Sequence, residues 1–76
     1  MDDYTQGFNA GCLLKSKAEL ERNENKLFNL EERLKATTRA DAFGDGVRDT
    51  LETEIACLKI WVDIQKEYIE EKESDV

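Results

Sequence analysis

Apolar residues in the second half of the chain fall on two adjoining stripes of one long predicted helix. At about 100° per residue, a first stripe holds Val47, Leu51, Ile55, Leu58, Val62 and Ile69, and a second stripe holds Cys57, Ile60, Trp61, Ile64 and Tyr68. Together the stripes cover about 220° of the helix, whereas one neighbouring helix needs only about 100°. The excess predicts a second contact surface, covered by another copy of the chain or by a different protein.

The first half of the chain carries a thinner apolar seam. Its leucines recur every seven residues, with Leu30 joining Leu13, Leu20, Leu27 and Leu34. A seven-residue period is typical of a left-handed supercoiled contact between helices. The alternate seam positions are polar, however: Ser16, Asn23 and Thr37. This pattern favours a partner helix within the chain over an autonomous coiled coil, with Asn23 fixing the register.

Capping signals give the bounds of the two helices. Asp3 followed by Gln6 fits a capping box, so helix one is expected over about residues 3–36. The turn is expected at about 36–39, with Thr38 as the next N-cap and helix two over about 39–73. The alternative is a loop from Phe43 to Gly46 with Asp45 as the cap, because each glycine inside a helix costs about 1 kcal/mol. The early start is favoured, since the apolar stripe continues through Phe43.

These elements predict an all-α fold: an antiparallel, coiled-coil-like two-helix hairpin in a single domain over residues 1–76, with 74–76 frayed. Seventy-six residues bury little surface on folding, and dimerisation into a four-helix bundle would relieve this. If the turn is centred near residue 37, residues whose numbers add up to about 75 face each other. Cys12 then lies near Val62 and Cys57 near Ala18. Both cysteines are expected to be reduced and packed as small hydrophobic residues.

The residues expected to form the self-association or partner interface are Tyr4, Phe8, Gly11, Cys57, Ile60, Trp61, Ile64 and Tyr68. Gly7 and Gly11, four residues apart, fit a close crossing between protomers or, equally, crowding near a helix start. Trp61 is the expected anchor, and its alternative role is to close the intrachain core. Tyr4 and Phe8 are expected beside or beyond the last turn of helix two.

Charge is divided unevenly along the chain. Residues 1–40 carry seven acids and seven bases, so the net charge of −7 comes entirely from residues 41–76. This balance disfavours direct binding to nucleic acid or to an anionic membrane. One band of helix two holds the carboxylates Asp45, Asp49, Glu52, Asp63, Glu67 and Glu70. The band is interpreted first as a solvated face and alternatively as an imitation of a phosphate backbone, which resembles small acidic inhibitors of phage or mobile elements that occupy a basic protein surface.

Catalytic chemistry is not expected. The chain has no His, no Glu-x-x-His motif and no nucleophile with an adjacent base, so we predict no enzyme activity, no metal site and no cofactor. There is no apolar stretch near the 20 residues of a membrane span and no basic start of a signal peptide. The sequence therefore predicts a cytoplasmic, non-enzymatic protein–protein interaction module that associates with itself, with the acidic inhibitor as the alternative.

Overall fold

The computed structural model describes residues 2–74 and contains two α-helices, α1 (Asp3–Ala36) and α2 (Ala42–Ser74). The two helices pack against each other as an antiparallel hairpin. This confirms the predicted helical hairpin, and α2 runs through Gly44 and Gly46, which confirms its early start. Asp75 and Val76, where fraying was predicted, lie outside the described residues.

Both helix N-caps differ from the predicted ones. The carboxylate of Asp2, one residue before Asp3, accepts a hydrogen bond from the backbone N–H of Thr5 at 2.7 Å. At α2 the cap is Asp41, which replaces the predicted Thr38 and accepts from the N–H of Gly44 at 3.0 Å. In each case the acid immediately before the helix reaches the N–H three residues on, which is the usual N-cap geometry.

These hydrogen bonds also stabilise the charged form of each capping carboxyl group. Hydrogen bonds from the side chain and the backbone of Thr5 lower the pKa of Asp2. The N–H of Gly44, followed by the side chain of Arg39, lowers the pKa of Asp41. Arg39 Nε lies 2.6 Å from the Asp41 carboxylate. Both caps are therefore held as anions below the usual carboxyl range.

The register of the hairpin is offset from the predicted one. Three cross-helix pairs define it: Asn23 with Gln65 at 2.8 Å, Lys17 with Glu73 at 2.7 Å, and Glu24 with Lys66 at 3.8 Å. The residue numbers of facing partners add up to 88 to 90, so the expected value of about 75 was wrong. Consequently Cys57 lies beside Lys26 and Leu30 instead of Ala18, and Val62 lies beside Leu27 and Phe28 instead of Cys12.

The connection between the helices explains this offset. Residues 37–41 fold back along the first turns of α2, where the Arg48 guanidinium donates to the carbonyls of Thr37 at 3.3 Å and Arg39 at 2.8 Å. Gly44 is buried at this crossing. A Cβ atom there would overlap the Arg39 carbonyl oxygen and lie 2.8 Å from its carbon. Because the connection occupies the space beside the start of α2, the helices are staggered along their axes.

The first apolar stripe of α2 faces α1. Ile55, Val62 and Ile69 are buried with Leu30 of α1, and Val47, Leu51 and Leu58 are half-buried. The partly buried Asn23–Gln65 hydrogen bond interrupts this core, as expected for a polar seam residue that sets register. The stagger gives a molecule 61 × 14 × 13 Å in extent. The first stripe is thus used inside the chain, and the second stripe is not.

Candidate interaction surface

All five residues of the second stripe lie on the surface of the hairpin: Cys57, Ile60, Trp61, Ile64 and Tyr68. Trp61 keeps 52% of its surface exposed, so the alternative role of closing the intrachain core does not apply to it. The five residues share about 100° of α2, and we call this surface the apolar face. A rigid helix therefore presents a continuous strip of apolar side chains that α1 leaves uncovered.

Trp61 stands between two hollows along the groove that joins the apolar face to α1. One hollow, of about 340 Å³, is lined by Lys26, Leu30, Thr53, Glu54, Cys57, Leu58 and Trp61. The other, of about 200 Å³, is lined by Ser16, Glu19, Trp61, Ile64, Gln65 and Tyr68. An indole between two apolar hollows has the form of an interface anchor, because a partner side chain on either side of it would be desolvated.

The N-terminal part of α1 projects past α2. Lys17 is paired with Glu73, next to the last helical residue of α2, so Asp3 lies about 21 Å further along at 1.5 Å per residue. Tyr4 and Phe8 in this segment are 80% and 61% exposed, with their rings stacked at 6.5 Å. They lie beyond the end of α2, one of the two positions expected for them. We call residues 3–13 the overhang.

The small residues and cysteines of the predicted interface make no close contacts within the chain. A Cβ atom at Gly7 or Gly11 would meet nothing within 4 Å, so no helix crossing within the hairpin uses them. Cys12 and Cys57 are free thiols, as predicted, but both are exposed. The expectation that they are packed was wrong for the hairpin alone, because Cys12 lies on the overhang and Cys57 on the apolar face.

Four bases line the edge of α1 that borders the groove, a feature that the sequence analysis did not single out. They are Lys15, Arg22, Lys26 and Arg33, all exposed and none in an ion pair within residues 2–74. Their spacing of seven, four and seven residues confines them to about 40° of the helix. We call this row the basic edge. The overall neutrality of residues 1–40 concealed it, whereas a helical projection of the bases alone would have revealed it.

The predicted carboxylates lie along the opposite margin of the apolar face. All six are exposed: Asp45, Asp49, Glu52, Asp63, Glu67 and Glu70. Asp45 is paired with Arg48, and the other five make no ion pair in the described part of the chain. We call these residues the acidic row. Ile64 and Glu67 are three residues apart and are therefore neighbours on the helix surface, so the row begins where the apolar face ends.

Three exposed apolar residues were not predicted as surface features. Leu14, Phe28 and Phe43 are 69%, 61% and 65% exposed. Phe28 lines a hollow with Lys59, Asp63 and Lys66 on the side of the hairpin away from Trp61. Arg39 lies over the ring of Phe43 at 4.6 Å. Phe28 is therefore separated from the apolar face, which makes it a useful reference in mutagenesis.

Other kinds of site find little support. Among residues 2–74, no group of three or more His, Cys, Asp or Glu side chains is arranged to hold a metal ion. Neither helix has a stretch that is long and apolar enough to cross a membrane. Comparison of the chain with protein-family models, curated proteins and solved structures gives no significant match. The function must therefore be inferred from the surfaces described above.

Proposed function

We propose that this protein is a non-enzymatic interaction module that associates with itself through the apolar face of α2 to form a helical-bundle homodimer. The observation that supports this proposal is the division of α2 into two apolar stripes, of which one forms the core and the other remains fully at the surface. A helix that is apolar over more than one contact sector is expected to be buried on more than one side. Tyr4, Phe8 and Gly11 extend the proposed interface onto the overhang.

The accessible surface of the hairpin supports an additional contact. It amounts to 5898 Å², whereas a compact monomer of this mass is expected to expose about 4,800 Å². The difference is about 1,100 Å², which compares with about 800 Å² buried by each partner in a standard protein interface. The buried apolar core of the described residues consists of only Leu30, Ile55, Val62 and Ile69. A second copy would supply the burial that the single hairpin lacks.

The experiment that tests this proposal is light scattering coupled to size exclusion over a range of protein concentrations. The wild-type chain is expected to elute with twice the mass of the monomer. The double variant Trp61→Glu/Ile64→Glu is expected to be monomeric and helical, because burying two carboxylates at the interface is too costly. Phe28→Glu is the matched control, since Phe28 is similarly exposed on the other side.

Two results would contradict the proposal. A folded wild-type chain that is monomeric at every concentration would remove the second copy as the partner. A dimer that survives the Trp61→Glu/Ile64→Glu substitutions would place the interface elsewhere. Loss of the dimer in Phe28→Glu as well would show that the assay reports general destabilisation and not this face.

The remaining parts of the proposal concern chemistry and location. We propose that the chain has no enzyme activity and binds no cofactor, since the carboxylates of the acidic row all lie on a solvated face. We also propose a cytoplasmic location. Two free, exposed thiols support a reducing compartment, because exposed cysteines are prone to oxidation outside it.

The acidic row supports a second candidate function, inhibition of a basic, nucleic-acid-binding protein. The row extends over about 37 Å from Asp45 to Glu70, and five of its six carboxylates have no cation within the described chain. Under this candidate, reversing Asp49, Glu52 and Glu67 to lysine abolishes inhibition of the partner and leaves assembly intact. Lys59 and Lys66 border the row, which favours the interaction module as the first candidate.

A further inference from the structure

We propose that the two copies of the dimer lie parallel, with the two-fold axis along the helices, so that the basic edge of each copy faces the acidic row of the other. This inference rests on the proposed function, because it names the arrangement of the self-association just described. It commits to a second copy as the occupant of the apolar face. The argument depends on the order of charged and apolar surfaces around the hairpin.

Three surfaces follow one another around the hairpin, and the last of them reaches the far side, where Asp63 lines the hollow beside Phe28. The basic edge on α1 comes first, then the apolar face on α2, and then the acidic row on α2. Lys26 and Trp61 line one hollow, which places the basic edge directly across the groove from the apolar face. Glu19 and Glu54 lie in the groove between them without an ion pair. The apolar face thus has a positive border and a negative border.

Two-fold symmetry permits two ways of joining the apolar face to a copy of itself. An axis parallel to the helices exchanges the two borders of the apolar face, so the basic edge of one copy lies over the acidic row of the other. An axis perpendicular to the helices, in the plane of the interface, keeps each border on its own side of the interface. Bases then face bases and acids face acids, which is unfavourable. Charge therefore selects the parallel arrangement.

The ion pairs within the hairpin strengthen this choice. Lys17, Lys35, Arg39, Arg48 and Lys66 are each paired with an acid of the same chain. The four bases of the basic edge are not, and neither are five acids of the acidic row. In this register Arg22 is level with Glu67 and Lys26 with Asp63, so the parallel dimer brings these four unpaired charges to the same height along the helices. Complementary borders of this kind set partner orientation in helical assemblies, as flanking charges do in coiled coils.

The orientation can be measured from distances between equal residues in the two copies. Spin labels are attached at Gly46→Cys or Ser74→Cys, each in a chain with Cys12→Ser and Cys57→Ser. Gly46 tolerates a side chain because nothing lies within 4 Å of its added Cβ. In the parallel dimer, both distances are expected to be below about 25 Å, since packed helix axes are about 8–10 Å apart.

The antiparallel arrangement predicts different distances. Residues 46 and 74 are 28 positions apart on α2, so at least one of the two label distances would be about 40 Å or more, wherever the axis crosses the helix. That result would overturn the parallel arrangement and leave the proposed dimer standing. If no spin-label distance between copies is detected and light scattering gives the mass of a monomer, the proposed dimer itself would be overturned.

Charge reversal provides an independent measurement. Arg22→Glu/Lys26→Glu is expected to raise the dimer dissociation constant about tenfold, because acids then face the acidic row. Adding Asp63→Lys/Glu67→Lys in the same chain is expected to restore the dissociation constant to within about threefold of wild type, because these two acids are level with the reversed bases. With the perpendicular axis the second pair of reversals gives no restoration, and neither does an acidic row that binds a different basic protein. Failure to restore would therefore overturn the inference.

Discussion

At the residue scale, Gly44 is the one glycine of the four at which an added Cβ would meet other atoms within 4 Å. The carbonyl of Arg39 passes over it, and the same carbonyl accepts from Arg48. Gly46, two positions further along α2, has open space around it. The two glycines stand in the same helix and carry the same intrinsic helix penalty. Any difference between the two alanine variants in the change of unfolding free energy therefore measures the packing of the connection against α2.

Gly44→Ala is expected to destabilise the hairpin by about 3 kcal/mol, because the added methyl overlaps backbone atoms that cannot rotate away. Gly46→Ala, the matched control, is expected to stabilise it by up to about 1 kcal/mol, since alanine replaces glycine in an unobstructed helix. Urea unfolding monitored by circular dichroism measures both values. Equal effects of the two substitutions would contradict the close crossing at Gly44.

The cap at Asp41 makes a further prediction at the residue scale. Its pKa is lower in the folded chain than in the unfolded chain, where the usual value is about 3.9. The charged cap therefore contributes stability above about pH 4, and this contribution is lost as the pH falls through the lowered pKa. Asp41→Asn keeps an acceptor but cannot titrate. It is expected to lose less stability than wild type between pH 5 and pH 2.

Thermal unfolding at the two pH values provides this measurement. Asp49→Asn is the control, because the Asp49 side chain is exposed and makes no ion pair or cap. If Asp41→Asn loses as much stability as wild type between pH 5 and pH 2, the charged cap does not contribute to acid sensitivity.

At the element scale, the pairing of α1 with α2 depends on few specific contacts. The Asn23–Gln65 hydrogen bond is a partly buried polar contact between the two helices. Asn23→Ala is expected to cost about 1 kcal/mol, because the half-buried Gln65 amide loses its partner. Asn25→Ala, on the exposed side of α1, is expected to change stability by less than about 0.5 kcal/mol. Urea unfolding compares the two variants, and equal losses would show that Asn23 does not contribute through Gln65.

Helix bounds and helix faces were predictable from the sequence, and helix register was not. The periodic spacing of Ile55, Val62 and Ile69 marks the buried side of α2 whatever its partner. Register, by contrast, depends on the path of residues 37–41. Their return along α2 is held by tertiary contacts of Arg48 and Gly44, which no local pattern encodes. The caps differ from the predicted ones by one residue at α1 and three at α2, which is the usual uncertainty of helix ends predicted from sequence.

At the scale of the whole molecule, the proposed dimer makes stability depend on concentration. If two hairpins fold and associate together, raising the protein concentration shifts the equilibrium towards the folded dimer. A hundredfold increase in wild-type concentration is expected to raise the melting temperature by several degrees. Trp61→Glu/Ile64→Glu is expected to melt at one temperature throughout, and Phe28→Glu is expected to behave like wild type. Calorimetry at several concentrations distinguishes these outcomes.

The overhang of α1 has a consequence for detecting the bound state. An isolated helical segment of about ten residues is marginal in water, because nucleation costs more than so few hydrogen bonds return. Residues 3–13 have no α2 beside them to offset this cost. Their amide hydrogens are therefore expected to exchange with solvent far faster than those beside Leu30. A partner that covers Tyr4 and Phe8 would slow that exchange, so the segment reports occupancy without any attached probe.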